Sequence, residues 1–429
     1  MTVIAFEGPA GSGKTYRLME ELTEALERRP LAEHERVMAL TFMHGSRRRL
    51  DARLRNIDAL SGRHTATTLD SFAWRITQRW QSLARHLGHE MPADVDYERT
   101  CELATALLER ETVRTWVNQT YPYILVDEAQ DLSTERSSMI AALAQQGKIL
   151  LAYDEFQCLN TALLPIAIEN WINAHCEPIV LEGCRRTEEA ELIDAAIAVR
   201  EGRTVTREGK RFKVIATPGH VNFRATCVAN AIAWRNGGTI AVLTPSRQGG
   251  FANSAVSRVS EGPIGQRQNG PYNILWESSD EQDGAVLWDR LAIKGDCTVD
   301  EALEAIARDR HEPAFRTLRN WLKRQRSAKG VQEFSEADLR RQLDKTLSVR
   351  RRYGHRIQTE FSAMTIQQAK NREFDHVIIL WPYNVPNDDE QKRRLLYNAI
   401  TRAKRSCTVL VQSEEMLAEP PFSPRVKNL

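Results

Sequence analysis

The chain reads as an α/β protein with two parallel sheets, and three observations lead there. Apolar runs of strand length (3–6, 123–126, 149–153, 239–243, 376–380 and 407–411) are separated by segments with helical periodicity. The first run feeds directly into a glycine-rich turn and then a helix, the order found in parallel sheets. At 429 residues, 42% of them hydrophobic and 27% charged, the chain is long enough for two or three domains with ample cores.

The first strand, Val3-Ile4-Ala5-Phe6, runs into Gly8-Pro9-Ala10-Gly11-Ser12-Gly13-Lys14-Thr15, which satisfies the P-loop pattern G-x-x-x-x-G-K-[ST]. Leu18, Leu22, Ala25 and Leu26 then share one face of a helix. Glycines let successive backbone N–H groups curl around a phosphate, and the helix N-terminus adds its positive end. Lys14 is placed to reach the β- and γ-phosphates, and Thr15 to hold Mg²⁺. The strand Tyr123-Ile124-Leu125-Val126 ends in Asp127-Glu128-Ala129-Gln130-Asp131. An acidic pair at a strand's carboxyl end is what Mg²⁺-assisted hydrolysis of ATP needs, Asp127 for the metal and Glu128 to polarise the attacking water.

These motifs resemble those of UvrD-like superfamily 1 (1A) DNA helicases, and the resemblance continues in order. Asp127 through Asp131 is similar to motif II, and Ala39-Leu40-Thr41-Phe42 to segment Ia. Thr67-Thr68-Leu69-Asp70-Ser71-Phe72 resembles the next DNA-contacting segment, and residues 149–157 resemble motif III. Leu181 through Thr187 is similar to the N-Y-R-S segment, and Met364 through Lys370 with Glu373-Phe374-Asp375 to motif V. Leu395 through Lys404 resembles motif VI closely. The resemblance implies two RecA-like lobes clamping ATP, with a reduced helical insertion in the second. It implies that Gln157 senses the γ-phosphate, that Arg186 and Arg402 neutralise the transferring phosphoryl group, and that Glu373 bonds the ribose. Thr41, Phe42, Thr68, Phe72 and Thr365 fall where the family touches single-stranded DNA, with core packing the alternative for Phe42 and Phe72. The compact size is similar to that of the helicase-like subunit of Gabija defence systems.

Four departures shape the expectations. Seven residues precede Gly8, so the segment carrying an adenine-reading glutamine is expected to be missing. Arg185 stands where a tyrosine usually stacks on adenine, and a guanidinium stacks with less shape selectivity. Motif III has Tyr153 for glycine, and Cys158-Leu159-Asn160 follows Gln157 without a DNA-stacking aromatic. Motif V has Gln367 for a histidine and reads Lys370-Asn371-Arg372-Glu373, where asparagine tolerates the positive φ that glycine usually supplies.

The formal net charge is only +2, but 47 of the 59 basic residues are arginine, clustered at 47–55, 316–326, 340–356 and 392–405. These clusters suit phosphate contacts or are solvated helix faces. Seven scattered cysteines without a C-x-x-C pair point to reduced thiols and a cytoplasmic protein, not to a zinc site. The expected organisation is lobe 1 over 1–181 with a short helical insertion near 73–120, and lobe 2 over 182–249 and 356–415. Residues 250–355 form a reduced accessory insertion, loop-rich over 250–280, and 416–429 a loose tail. Arg316, Arg319, Lys323, Arg350 and Arg351 are expected to supply backbone contacts to nucleic acid.

The sequence reading is therefore an ATP-dependent single-stranded-DNA translocase or helicase, of 3′-to-5′ polarity, in DNA repair, mobile-element or phage-defence processes. Its alternative is a nucleotide-gated regulatory DNA-binding subunit of a nuclease or defence complex. A partner nuclease or second copy is expected, and no membrane. A P-loop small-molecule kinase leaves Arg402 in motif VI unaccounted for.

Overall fold

The computed structural model describes residues 2–42, 44–91, 96–164, 166–235, 237–277, 280–309, 311–353, 360–386 and 388–425. Its first sheet is parallel throughout, with strands β1 (Thr2–Glu7), β2 (Val37–Thr41), β3 (His64–Thr68), β4 (Tyr123–Asp127), β5 (Lys148–Tyr153) and β6 (Ile179–Val180). They lie in the order β3-β2-β4-β5-β1-β6. Eight helices connect them: α1 (Lys14–Arg28), α2 (His44–Arg55), α3 (Leu69–Arg79), α4 (Gln81–His86), α5 (Tyr97–Leu108), α6 (Glu111–Thr120), α7 (Thr134–Ala144) and α8 (Ala167–His175).

Both faces of this sheet are covered, which is why β2 and β4 are buried along their whole length. Alternation sorts the side chains. Phe6, Val37, Ala39, Leu125 and Leu150 face Leu18 and Leu22 of α1 and Leu50 and Leu54 of α2. Val3, Ala5, Met38, Leu40, Val126 and Leu151 face the layer containing α3, α5 and α7. Burying each such leucine or valine stabilises the lobe by about 1.5–3 kcal/mol.

The second lobe begins with α9 (Ala190–Glu201), followed by β7 (Phe212–Ala216), α10 (Val221–Ala233), β8 (Ile240–Thr244) and α11 (Phe251–Glu261). The region expected to be loop-rich from residue 250 is thus helical over its first part. Its Ser/Asn content hid Phe251, Ala252, Ala255, Val256 and Val259, which share the buried face of α11.

Residues Leu275–Met364 form a separate compact unit. It contains β9 (Leu275–Trp276), α12 (Asp280–Leu291), β10 (Cys297–Thr298), α13 (Val299–Ala307), α14 (Pro313–Lys329), β11 (Glu333–Phe334) and α15 (Glu336–Tyr353). Phe361–Thr365 is β12, paired in parallel with β9. The unit has its own core of Leu287, Trp288, Phe315, Leu318, Leu322, Leu339 and Leu343. A capping box between Thr298 and Glu301 starts α13. Arg316 and Lys323 are exposed on α14 and Arg319 is half-buried; the side chains of Arg350 and Arg351 lie outside the described residues.

The second lobe resumes with β13 (Phe374–Trp381), α16 (Asp389–Ile400) and β14 (Ala403–Val411), and β7-β14-β13-β8 lie side by side in parallel. Residues 416–425 are not loose. Met416, Leu417 and Phe422 are buried, Phe422 meets Trp381 edge to face at 5.8 Å, and its carbonyl accepts from Val205 N–H. The prolines that suggested a loose tail flank an aromatic anchor. No helix among the described residues is long and apolar enough to cross a membrane.

Candidate nucleotide and nucleic-acid site

The P-loop leaves the carboxyl end of β1, where open α/β sheets bind ligands. Gly11 and Gly13 take φ of 82° and 93°, and Gly13 caps α1. A Cβ on Gly11 would lie 2.7 Å from Cys184 Sγ, and one on Gly8 2.7 Å from the Leu181 carbonyl, so both positions need glycine. Lys14 Nζ donates to the carbonyls of Gly8 (2.7 Å) and Pro9 (3.1 Å), and Pro9 O also accepts from Ser12 N–H. Ala10 N–H donates to Tyr397 Oη at 2.7 Å, tying the loop to α16. Ser12 Oγ is buried with no partner among the described residues, a polar atom aimed into the cradle. Burial lowers the Lys14 pKa, against the pull of Asp154, Glu128 and Asp127.

Thr15 Oγ1 donates to Asp127 Oδ2 at 3.1 Å. A hydroxyl beside a carboxylate is a hard-oxygen donor set, the kind Mg²⁺ completes with phosphate oxygens and water, so these residues fit that ion. Burial and then Glu128 push Asp127 up to about 6, a concentration of negative charge that a cation relieves. Glu128 goes the other way. Burial opposes its ionisation, yet Lys14, Lys370, the Gln130 hydrogen bond and Arg402 together hold it below its ordinary value. It sits at φ 59°, a strained turn for a non-glycine residue, and Gln130 Nε2 donates to its Oε2 at 2.6 Å. Gln130 in turn accepts from Asp154 N–H at 3.1 Å.

The second lobe brings cations to the same place from the amino ends of β13 and β14. Arg402 is 3% exposed. Its Nε donates to Asn398 O at 3.0 Å, and Nη2 lies 3.5 Å from Gln157 Oε1. Among the described residues it has no carboxylate partner, and burial with Arg186 alongside lowers its pKa to about 9. Arg186 pairs with Glu373 at 3.0 Å and donates to Thr401 O at 2.8 Å. The other Glu373 oxygen faces Lys404 at 3.3 Å. Lys370 crosses to lobe 1, pairing with Asp131 at 2.5 Å and donating to Gln157 O at 3.2 Å. Asn371 adopts φ 63°, the positive turn the sequence anticipates.

Sequence and structure part company over the nucleic-acid residues. Phe72 is a core side chain beside Ala73 and Ile76, since its position on α3 faces the sheet, so it is corrected from a DNA contact to packing. Thr41 is buried at the end of β2, and Thr68 is buried with its hydroxyl capping α3 through Ser71 N–H at 3.2 Å. Thr365 is half-buried and exchanges hydrogen bonds with Gln368. Phe42 is 38% exposed, with the Arg136 guanidinium 5.4 Å from its ring, and it alone of these offers an aromatic face.

The sequence reading omitted three site residues. Gln130 and Tyr397 stand inside the quoted motifs without a role, and the strand-end and helix positions they occupy are the signal. Tyr16, 55% exposed, follows the P-loop threonine and lies 5.6 Å beneath Arg185. An exposed tyrosine one residue past a P-loop is itself a clue.

Two lobes with a P-loop, an acidic strand end and facing arginines give a P-loop α/β fold of RecA-like build whose groups suit a nucleoside-triphosphate site. The family described as UvrD-like helicase C-terminal domain matches residues 360–410, and the one described as AAA domain matches 1–162. Both matches support the resemblance to UvrD-like superfamily 1 helicases. No curated protein matches it in sequence. Among solved structures it is similar to Arterivirus nonstructural protein 10 (helicase), at 12% identity and a TM-score of 0.39, over 96% of this chain and 59% of that one. The same viral protein in complex with DNA gives 12% identity, a TM-score of 0.38, and 96% and 61% coverage. The chain thus spans about three fifths of those proteins' length.

Proposed function

We propose that this protein hydrolyses ATP between its two lobes and uses lobe closure to move along single-stranded DNA from 3′ to 5′. The observation that carries this reading is the convergence of Lys14, Thr15, Asp127 and Glu128 from lobe 1 with Arg402 and Arg186 from lobe 2. In this reading Glu128, kept ionised by its cationic neighbours, polarises the attacking water while Gln130 fixes its rotamer. Arg402, in the field of Glu128 and Glu373 but bonded to no carboxylate among the described residues, offers its guanidinium to the charge that grows on the transferring phosphoryl group. Thr15 and Asp127 would hold Mg²⁺, which when bound would supply Lewis-acid neutralisation of the phosphate oxygens. Tyr16 and Arg185, stacked on each other beside the P-loop, would offer the base a stacking surface with few hydrogen-bonding groups.

Phe42 is the aromatic surface where a base would rest, backed by Arg136, which is buried and paired with Asp70 at 2.8 Å. The alternative, a nucleotide-gated DNA-binding subunit that works through a partner, is favoured by one feature. Motif III has no aromatic after Gln157, and Phe156 just before it is 8% exposed and packed against Tyr397, not presented for stacking on DNA. DNA repair, mobile-element biology and phage defence are the processes this activity would serve.

Streptavidin displacement from biotinylated single strands separates the readings. A 3′-to-5′ motor clears streptavidin from the 5′ end and leaves it on the 3′ end. ATP consumption with no clearance from either end supports the regulatory subunit, and clearance from the 3′ end alone reverses the polarity.

A further inference from the structure

Outside the residues given a role above, one charged group reaches across the lobes into the hydrolytic network. Arg200, in the last turn of α9, points its Nη1 at Asp154 Oδ1, 2.8 Å away. Asp154 stands at the end of β5 and is fully buried. Its Oδ1 also accepts from Phe156 N–H at 3.2 Å, and its Oδ2 accepts from Gln157 Nε2 at 2.8 Å. Its own N–H holds Gln130, which holds Glu128. One carboxylate thereby orients the amide that faces Arg402, and the same residue's backbone steadies the group expected to polarise water.

Arg200 is tied to the same joint twice more. Its Nη1 lies 3.5 Å from Tyr397 Oη, the acceptor of the P-loop Ala10 N–H. Its guanidinium sits 5.3 Å from the Phe156 ring, which Arg394 approaches at 5.0 Å and Tyr397 meets edge to face at 5.2 Å. Glu155 and Leu159 complete the seam, Glu155 pairing with Arg394 at 2.6 Å and Leu159 O accepting from Gln391 at 2.8 Å. Motif III of lobe 1 is therefore plugged into α9 and α16 of lobe 2. Lys14 of its own lobe also acts on Asp154, but the carboxylate's hydrogen-bonded ion-pair partner is in place only when the lobes are together.

We propose that Arg200 is a positioning residue that couples lobe closure to hydrolysis: docking on Asp154 sets Gln157 and, through Gln130, Glu128 in their working orientations. This rests on the reading of the chain as an ATPase. When the lobes part, Asp154 keeps the field of Lys14 but loses its ion-pair partner Arg200, and Gln157 and Glu128 lose the anchor that aligns them. Arg200 touches neither substrate nor metal in this scheme, so its loss should fall on turnover more than on nucleotide affinity.

The test compares Arg200→Ala, Arg200→Lys and wild type in steady-state ATP hydrolysis, with melting temperatures measured alongside. Arg200→Ala should lower kcat by roughly tenfold or more and leave KM for ATP within about threefold. Arg200→Lys, which keeps the charge and secures a folded comparison, should fall between. Arg200 lines a cavity of about 80 Å³ together with Tyr397 and Ala196, which gives a small cation a path to the truncated site. Guanidinium chloride at tens of millimolar should therefore restore part of the Arg200→Ala turnover where sodium chloride does not. Wild-type kcat in Arg200→Ala overturns the proposal. So does a loss that neither lysine nor guanidinium recovers and that a fall in melting temperature accompanies. Absence of ATP turnover in the wild-type protein instead strikes the ATPase reading itself.

Discussion

Replacing Arg402 with methionine separates catalytic work from structural support, because the two should respond in opposite directions. The guanidinium is 3% exposed and meets only neutral acceptors: Asn398 O at 3.0 Å, and Arg372 O, Thr401 Oγ1 and Gln157 Oε1 at 3.4–3.5 Å. Only the first is a good hydrogen bond, worth about 1.5–3 kcal/mol with a charged donor. Against it stands the cost of burying an unpaired cation, several kcal/mol even after relaxation. Folding lowers the pKa of this base to about 9, so its charge penalises the folded state at every pH below that value, neutral pH included. Methionine keeps most of the volume, and the folded protein should be unchanged or more stable by about 1–3 kcal/mol in urea titrations. Turnover should fall by a factor on the order of 10³. That corresponds to about 4 kcal/mol of transition-state stabilisation. A variant with wild-type kcat, or one destabilised by more than about 3 kcal/mol, would refute the assignment of Arg402 as a cation held in reserve for the phosphoryl group.

Other perturbations follow from the same geometry. Glu128→Gln should bind ATP with Mg²⁺ in a fluorescent-nucleotide titration yet turn over very slowly, and Lys14→Ala should abolish hydrolysis. With Tyr16 and Arg185 offering the base a stacking surface and few groups to read its edge, GTP and CTP should be hydrolysed within about tenfold of ATP, roughly 1.4 kcal/mol. A preference above a thousandfold would reveal a base-reading group elsewhere. Glu191 pins residues 210–212 by accepting three backbone N–H groups at 2.6–3.2 Å, which hold its pKa below the usual carboxylate value. Its contribution to stability is present above the unfolded carboxyl pKa and is lost as pH falls through the lower folded one. Glu191→Gln should therefore cost about 1–2 kcal/mol at pH 7, with the gap closing below about pH 4; an equal loss at both pH values would remove the charge from the explanation.

What was legible in the sequence was local. Gly8 through Thr15 and Tyr123 through Asp131 each carry their own strand, turn and chemistry in consecutive residues. The positive φ of Asn371 could likewise be anticipated from residue type alone. Phe72 stays open between DNA contact and core packing because a position in a DNA-contacting segment and a position on the buried face of α3 look alike until the helix is phased against the sheet. Helix α11 was hidden by polar composition although its apolar spacing was present. The least legible feature was the seam between the lobes. Arg200 meets Asp154 across 46 residues and Tyr397 meets Ala10 across 387, and no periodicity links such partners. Only packing of α9 and α16 on motif III makes them neighbours.

The central claim, that the two lobes hydrolyse ATP in response to nucleic acid, is tested most directly by steady-state ATP hydrolysis with and without single-stranded DNA. Lys14→Ala serves as the blank, and salt is varied. Hydrolysis should depend on Lys14 and be stimulated by single-stranded DNA at low salt. The stimulation should fade as salt rises, because phosphate contacts made by arginine release counterions. ATP hydrolysis by Lys14→Ala at the wild-type rate, no hydrolysis by the wild-type protein, or hydrolysis that single-stranded DNA leaves unchanged at every salt concentration would contradict it.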